Sequence, residues 1–191
     1  MKTALFFGSF NPVHNGHMAM ALFLKQKQLF EQIWMVVSPG SPFKEKEELA
    51  HENDRLMMMK LAIQAFPFLQ VCDAELYLPI PSYTIETLHY LEIQYPNNEF
   101  SLILGADNLA TFHKWKNYEE ILNKYKIYVY PRDHGNCEHF FEHQHIIYIN
   151  DAPLLPVSAT EIRSLLKQQR SVIKYLPVSV IQYIADKQLY N

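Results

Sequence analysis

The stretch Thr3-Ala4-Leu5-Phe6-Phe7-Gly8-Ser9-Phe10-Asn11-Pro12-Val13-His14-Asn15-Gly16-His17 decides the fold. Its first five residues are an apolar run and read as a buried strand. The next ten form a tight loop with two glycines and two histidines. An amphipathic stretch follows and reads as a helix. A loop that feeds a helix N-terminus offers free backbone N–H groups and the positive end of the helix dipole, which suits a phosphate. His14 and His17 can add charge or hydrogen bonds to the same anion.

The bulk numbers limit what surrounds this loop. The 191 residues suit one domain, 1–191, with a substantial core. A composition 49% hydrophobic and 19% charged fits a soluble globular chain and not a disordered one. The net charge of -3 gives no global reason to expect nucleic acid, so a phosphate site must be a local cluster of basic groups. Cys72 and Cys137 form no CxxC pair, which argues for a reducing compartment. Gly8, Asn11 and Pro12 interrupt the first apolar run too early for a signal peptide, and no run is long enough to span a membrane. The expectation is a cytoplasmic protein, with a homo-oligomer left open.

Outward from the loop, Ala19, Leu22, Phe23 and Phe30 are expected on the buried side of the first helix. Ile33-Trp34-Met35-Val36-Val37 reads as a second strand and Ser38-Pro39-Gly40-Ser41-Pro42 as a loop. A charged segment, 44–48, precedes a helix expected over 51–66 and stopped by Pro67. Leu69-Gln70-Val71-Cys72 is a third strand. Thr84 is expected to cap a helix whose face carries Ile85, Leu88, Leu91 and Tyr95. Phe100-Ser101-Leu102-Ile103-Leu104 is a fourth strand and leads into Gly105-Ala106-Asp107. A short helix near 118–122 leads into a fifth strand, 127–130, closed by Pro131-Arg132. A polar, His-rich segment then precedes a sixth strand at 146–149. Ser158-Ala159-Thr160-Glu161 is a capping box flanked by a Val157–Ile162 staple, and a last helix starts at Pro177.

Strands alternate with helices nearly throughout, so the expected class is α/β: a Rossmann-like, doubly wound, mostly parallel sheet with helices on both faces. Ligands of such folds sit at the carboxyl ends of the strands. The unusual residues cluster there: 9–17 after strand one, 38–44 after strand two, Asp107 after strand four and Arg132 after strand five.

Two segments resemble known signatures. Gly8 to His17 is similar to the G-x-F-x-P-x-H-x-G-H signature of HxGH nucleotidyltransferases, and Val157-Ser158-Ala159-Thr160-Glu161-Ile162-Arg163 to their I-S-S-T-x-I-R signature. Pro81-Ser82-Tyr83-Thr84-Ile85-Glu86-Thr87-Leu88 looks like the P-S-Y-T-x-x-T-L segment of nicotinate mononucleotide adenylyltransferases. Gly105-Ala106-Asp107-Asn108-Leu109, then Trp115, looks like that family's G-x-D segment and pyridine-stacking tryptophan. Arg55 to Ile63 matches its second helix. Three positions depart from the pattern: Phe7 replaces a frequent glycine, Asn11 the more usual Asp, and Lys116 a common aromatic residue.

The resemblance implies transfer of AMP from ATP to nicotinate mononucleotide, with Mg²⁺ carried by the ATP phosphates and no protein metal cage. It implies that His14, His17, Lys44 and Arg163 act on the reacting phosphates. Gly8, Ser9, Phe10, Gly105, Asp107, Ser158 and Thr160 would join His14, His17 and Arg163 in holding ATP. Ser9, Lys44, Tyr83, Thr84, Trp115 and Arg132 would hold the acceptor, with the α-helical N-terminus at Thr84 receiving the pyridine carboxylate. Neither nucleic acid nor membrane is an expected partner. The same chemistry on nicotinamide mononucleotide or phosphopantetheine stays open, as does a non-catalytic nucleotide sensor. His14 and His17 could also be core or zinc residues. His134, Cys137, His139, His143 and His145 invite a metal reading, against which a solvated insertion is expected.

Overall fold

A computed structural model describes residues 1–39, 49–132, 143–153 and 157–191. Lys44, His134, Cys137 and His139 lie outside the described residues. The elements run β1 (Lys2–Gly8), α1 (Asn15–Gln26), β2 (Gln32–Val37), α2 (Glu52–Ile63), β3 (Leu69–Cys72), α3 (Thr84–Gln94) and β4 (Glu99–Gly105). The second half holds α4 (Ala106–Leu109), α5 (Tyr118–Lys124), β5 (Lys126–Tyr130), β6 (Ile146–Tyr148), α6 (Ala159–Lys167) and α7 (Val178–Lys187). Short 3₁₀ turns occur at Ala74–Leu76 and Phe112–Lys114.

The strands form one sheet in the order β3-β2-β1-β4-β5-β6, and every pairing is parallel. This is the Rossmann-like, doubly wound arrangement expected from the alternation of elements. Both faces of the central strands are covered, so β1, β2 and β4 are near-continuous apolar runs. Alternation along β1 sends Phe6 to one core and Leu5 to the other. The first core takes Met18, Ala21 and Leu24 of α1, Met58 and Met59 of α2, Ile162 of α6, and Val180 and Ile184 of α7. The second takes Ile85, Leu88 and Leu91 of α3, Leu109 of α4, and Ile121 of α5. After β3 the chain crosses the sheet through α3 and re-enters beside β1 as β4. The direction of winding therefore reverses between β1 and β4, which opens a crevice at their carboxyl ends.

Several local expectations shift. α1 buries Met18, Met20, Ala21 and Leu24, while Leu22 and Phe23 are half-buried and Phe30 lies past the helix end. Residues 18–24 are apolar all round, so periodicity could not phase that helix. α2 ends at Ile63, where a turn with Phe66 N–H donating to the Ile63 carbonyl (2.8 Å) replaces the last expected turn. The chain must reverse there to start β3, and the residue before Pro67 resists helical geometry. Tyr83, not Thr84, is the N-cap of α3, and it makes no side-chain cap bond. Tyr95 lies past α3, half exposed, with its ring edge-on to Trp34 at 4.7 Å.

Candidate active site

The crevice is built from the loop after β1. Phe10 takes a left-handed φ of 43° although it is a bulky aromatic, a conformation that persists only where surrounding packing enforces it. Its buried ring lies edge-on to Phe6 (5.9 Å) and His17 (4.9 Å). His14 is the N-cap of α1, and its backbone N–H donates to His17 Nδ1 at 3.2 Å. The two imidazoles stack with centroids 3.6 Å apart and planes 26° from parallel. The pair therefore sits side by side at the capped start of α1. Gly16 makes this geometry possible: a Cβ there would lie 2.8 Å from Val157 Cγ1 and 2.9 Å from His14 Nδ1.

His14 is 2% exposed. Burial first, and the neighbouring Arg132 charge second, push its imidazole down to about 3. At neutral pH it is an uncharged hydrogen-bonding group, not a cation. Its Nδ1 is buried without a hydrogen-bond partner in the chain, which leaves a polar atom for a ligand or water to complete.

Arg163 reaches this loop from α6. Ser158 Oγ caps the helix by accepting the Glu161 N–H at 3.1 Å, and the flanking Val157 and Ile162 are buried. Arg163 falls on the second turn of α6. Its Nη1 donates to the Asn11 carbonyl at 2.9 Å and its Nη2 to Thr160 Oγ1 at 3.5 Å. The two signature segments, 152 residues apart in the chain, thus meet directly.

A third wall follows β4 and β5. Gly105 pairs with Tyr130 across the ladder, and a Cβ on Gly105 would collide with Asp107 Oδ1 and lie 3.2 Å from Arg132 Cγ. Arg132 sits over the Tyr130 ring, 5.6 Å from its centroid. β1 pairs with β4 and β4 with β5, so the carboxyl ends of the three strands lie side by side. Asp107 is solvent-exposed and Ser9 is half-buried in the same region.

Tyr83, Thr84 and Trp115 lie toward the second core. Tyr83 and Trp115 are half-buried at its edge together with Phe7. Trp115 packs on Phe112 with ring centroids 5.3 Å apart. Lys116 closes this side: its Nζ lies 4.5 Å above the Tyr83 ring and donates to Glu86 Oε1 at 2.6 Å. His143 and His145 contact each other, with the His145 N–H donating to His143 Nδ1 at 3.3 Å. Among the described residues, no group of three or more His, Cys, Asp or Glu side chains could hold a metal.

Residues 5–165 match the cytidylyltransferase-like family. A protein of Flavobacterium johnsoniae named "Probable nicotinate-nucleotide adenylyltransferase" is 43% identical, with all of both chains covered. One of Cytophaga hutchinsonii with the same name is 42% identical over all of this chain and 99% of its own. The chain belongs to the nicotinate-nucleotide adenylyltransferases. The fold of the Plasmodium falciparum nicotinic acid mononucleotide adenylyltransferase in complex with NaAD is shared at a TM-score of 0.80. That likeness covers 99% of this chain and 97% of the other at 21% identity.

For a member of the nicotinate-nucleotide adenylyltransferases, three supporting residues escape a reading of the sequence alone. Arg55, 1% exposed, donates to the carbonyls of Ser9 (2.7 Å), Ser38 (2.5 Å), Pro39 (3.0 Å) and Ala50 (3.0 Å). Asn11 Oδ1 accepts the Ala50 N–H at 3.1 Å and the Tyr190 hydroxyl at 2.7 Å. Glu75 is buried and accepts hydroxyls from Ser82 (3.3 Å) and Thr87 (3.0 Å). The only signal for Glu75 was a charged residue beside apolar runs, which ordinarily marks a surface, and Arg55 stood out only as the first residue of the segment that resembles the family's second helix.

Proposed function

We propose that the chain transfers AMP from ATP to nicotinate mononucleotide, giving deamido-NAD and pyrophosphate in NAD biosynthesis. A phosphate oxygen of the mononucleotide attacks the α-phosphorus in line. The bond from that phosphorus to the oxygen bridging to the β-phosphate breaks, and pyrophosphate leaves. The nucleophile is already anionic, so no general base and no covalent intermediate are required. Catalysis then consists of holding two like-charged reactants in line and countering the developing charge.

The observation that carries this reading is the meeting of the two signature segments at the reversal point of the sheet. The His14–His17 stack lies in the loop whose Asn11 carbonyl accepts Arg163 Nη1 at 2.9 Å. In this reading the loop from Gly8 to Phe10, with His14, His17, Ser158, Thr160 and Arg163, holds the triphosphate. Arg163 supplies charge and His14 a neutral N–H. Gly105 leaves room for Asp107 to take ribose hydroxyls. The acceptor lies toward Tyr83, Thr84 and Trp115, with Ser9, Lys44 and Arg132 on its phosphate. The first N–H groups of α3 have no intrahelical partner, which suits the pyridine carboxylate and selects acid over amide by charge. In this reading Mg²⁺ would be held by phosphate oxygens and water. When bound it neutralises phosphate charge. The reading takes 1–191 as one nucleotidyltransferase domain acting in the cytoplasm.

The test follows pyrophosphate release from ATP and Mg²⁺ with nicotinate mononucleotide, nicotinamide mononucleotide and phosphopantetheine offered separately. Fast release is expected with the first alone. No release with any acceptor sinks the enzymatic reading, and equal rates with acid and amide sink selection at Thr84. His17→Ala should lower turnover strongly while mononucleotide binding stays nearly intact; lost mononucleotide binding would move His17 off the ATP side.

A further inference from the structure

Beyond α7 the chain turns back toward the loop after β1. Gln188 takes a left-handed φ of 52°, and the Leu189 N–H closes the helix on the Ile184 carbonyl at 3.0 Å. Tyr190, also left-handed at 65°, delivers its hydroxyl to Asn11 Oδ1 at 2.7 Å. That contact spans 179 residues of sequence. Asn11 is 2% exposed, so its side chain has little freedom except what these partners allow.

Each end of Asn11 has a different task. Its Oδ1 takes the Tyr190 hydroxyl and the Ala50 N–H, while its carbonyl takes Arg163 Nη1 at 2.9 Å. Fixing the side chain fixes the peptide plane that receives the guanidinium. The neighbouring carbonyl of Ser9 is held by Arg55, so the loop is braced from both sides of the Asn11 position. Burial keeps the Tyr190 phenol above its ordinary range against the pull of Arg163 and Arg55, so it stays a protonated donor.

We infer that Tyr190, through Asn11, is a positioning residue that sets the Arg163 guanidinium for the phosphate chain of ATP. The inference rests on the proposed role of Arg163 and adds to it a residue outside both signature segments. Tyr190 touches no reacting atom. Its influence should therefore fall on the nucleotide that Arg163 grips and spare the acceptor.

Tyr190→Phe removes only the hydroxyl. The KM for ATP should rise about three- to ten-fold, the worth of one hydrogen bond, with the KM for nicotinate mononucleotide unchanged. Asn11→Ala should reproduce the defect, and Asn11→Asp, which keeps the acceptor oxygen, should restore the ATP KM. The deciding measurement is a double-mutant cycle with Arg163→Ala, read as ATP affinity by calorimetry. Tyr190→Phe should cost nothing further once Arg163 is gone. Additive losses, or equal KM increases for both substrates, would overturn the positioning role while leaving Arg163 on ATP. Unchanged ATP affinity in Arg163→Ala itself would overturn the assignment of Arg163 and this inference with it.

Discussion

His14 is neutral at physiological pH because the fold buries its ring at the start of α1 and sets the Arg132 charge nearby. Its folded value of about 3 lies below the ordinary 6.5. The unfolded chain therefore binds the extra proton first as pH falls. The stability this group contributes is complete above pH 6.5 and is lost progressively as pH drops from there toward 3. Urea midpoints measured between pH 7 and 4 should fall, and His14→Asn should flatten that fall; an unchanged slope would place the titration elsewhere. Gly16 admits a second prediction at this scale. In Gly16→Ala the new methyl would meet Val157 and His14 closer than van der Waals contact permits, so α6 and the imidazole stack must separate. Displacements of about 1 Å can cost ~100-fold in rate. Turnover should drop by about that factor, and an unchanged rate would show that the stack is not needed for the reaction.

In the proposed reading α3 presents the acceptor side, and two kinds of contact hold it. Glu86, His89 and Glu92 pair with Lys116, Glu120 and Lys124, each at 2.6 Å. These pairs are largely solvent-exposed, and such contacts are worth about 0–1 kcal/mol each. Glu75 is buried and is hydrogen-bonded to Ser82 and Thr87, on either side of the helix start. Glu75→Ala leaves the Ser82 hydroxyl unsatisfied and Thr87 with only the Tyr83 carbonyl at 3.3 Å, at a cost of about 1–3 kcal/mol, so it outweighs any single exposed pair. The KM for nicotinate mononucleotide should rise in that variant while the KM for ATP holds; equal increases would indicate general loosening. Trp115→Ala should likewise weaken mononucleotide affinity, and unchanged affinity would return Trp115 to packing on Phe112. Elements like these show what a sequence discloses. The limits of β1, the capping serine of α6 and the glycines beside the histidines follow local rules, and they were legible. Glu75 was not, because its partners lie 7 and 12 residues away and a glutamate ordinarily signals solvent. Tyr83 displaced Thr84 as the cap because the tertiary path of the chain chose the helix start over side-chain preference.

At the scale of the molecule, the two cores divide the proposed site residues between them. His14, His17 and Arg163 border the face that carries α1, α2, α6 and α7, while Tyr83 and Trp115 border the face that carries α3 and α5. Strand order made this division and could not be read locally, since β1 pairs with β4 across nearly 100 residues of sequence. Arg55 is the clearest consequence. Its guanidinium gathers carbonyls from the ends of β1 and β2 and from the lead into α2, joining three segments that local sequence leaves independent. A planar fork of donors suits carbonyls in different directions, and a lysine ammonium cannot span them. Arg55→Lys should therefore lose about 2–4 kcal/mol of stability, through buried carbonyls left unpaired and a poorly solvated charge. The damage should also be local. The Ser38 N–H, now held by the Gly8 carbonyl at 3.0 Å, should exchange with solvent faster than in the wild-type chain. Amides in the middle of β4 should exchange only as fast as global unfolding allows. ATP affinity should fall with the loosened loop. Uniform acceleration through β4 as well as Ser38 would make Arg55 a general core residue, whereas selective loss at Ser38 would identify it as the tie that holds the crevice in shape.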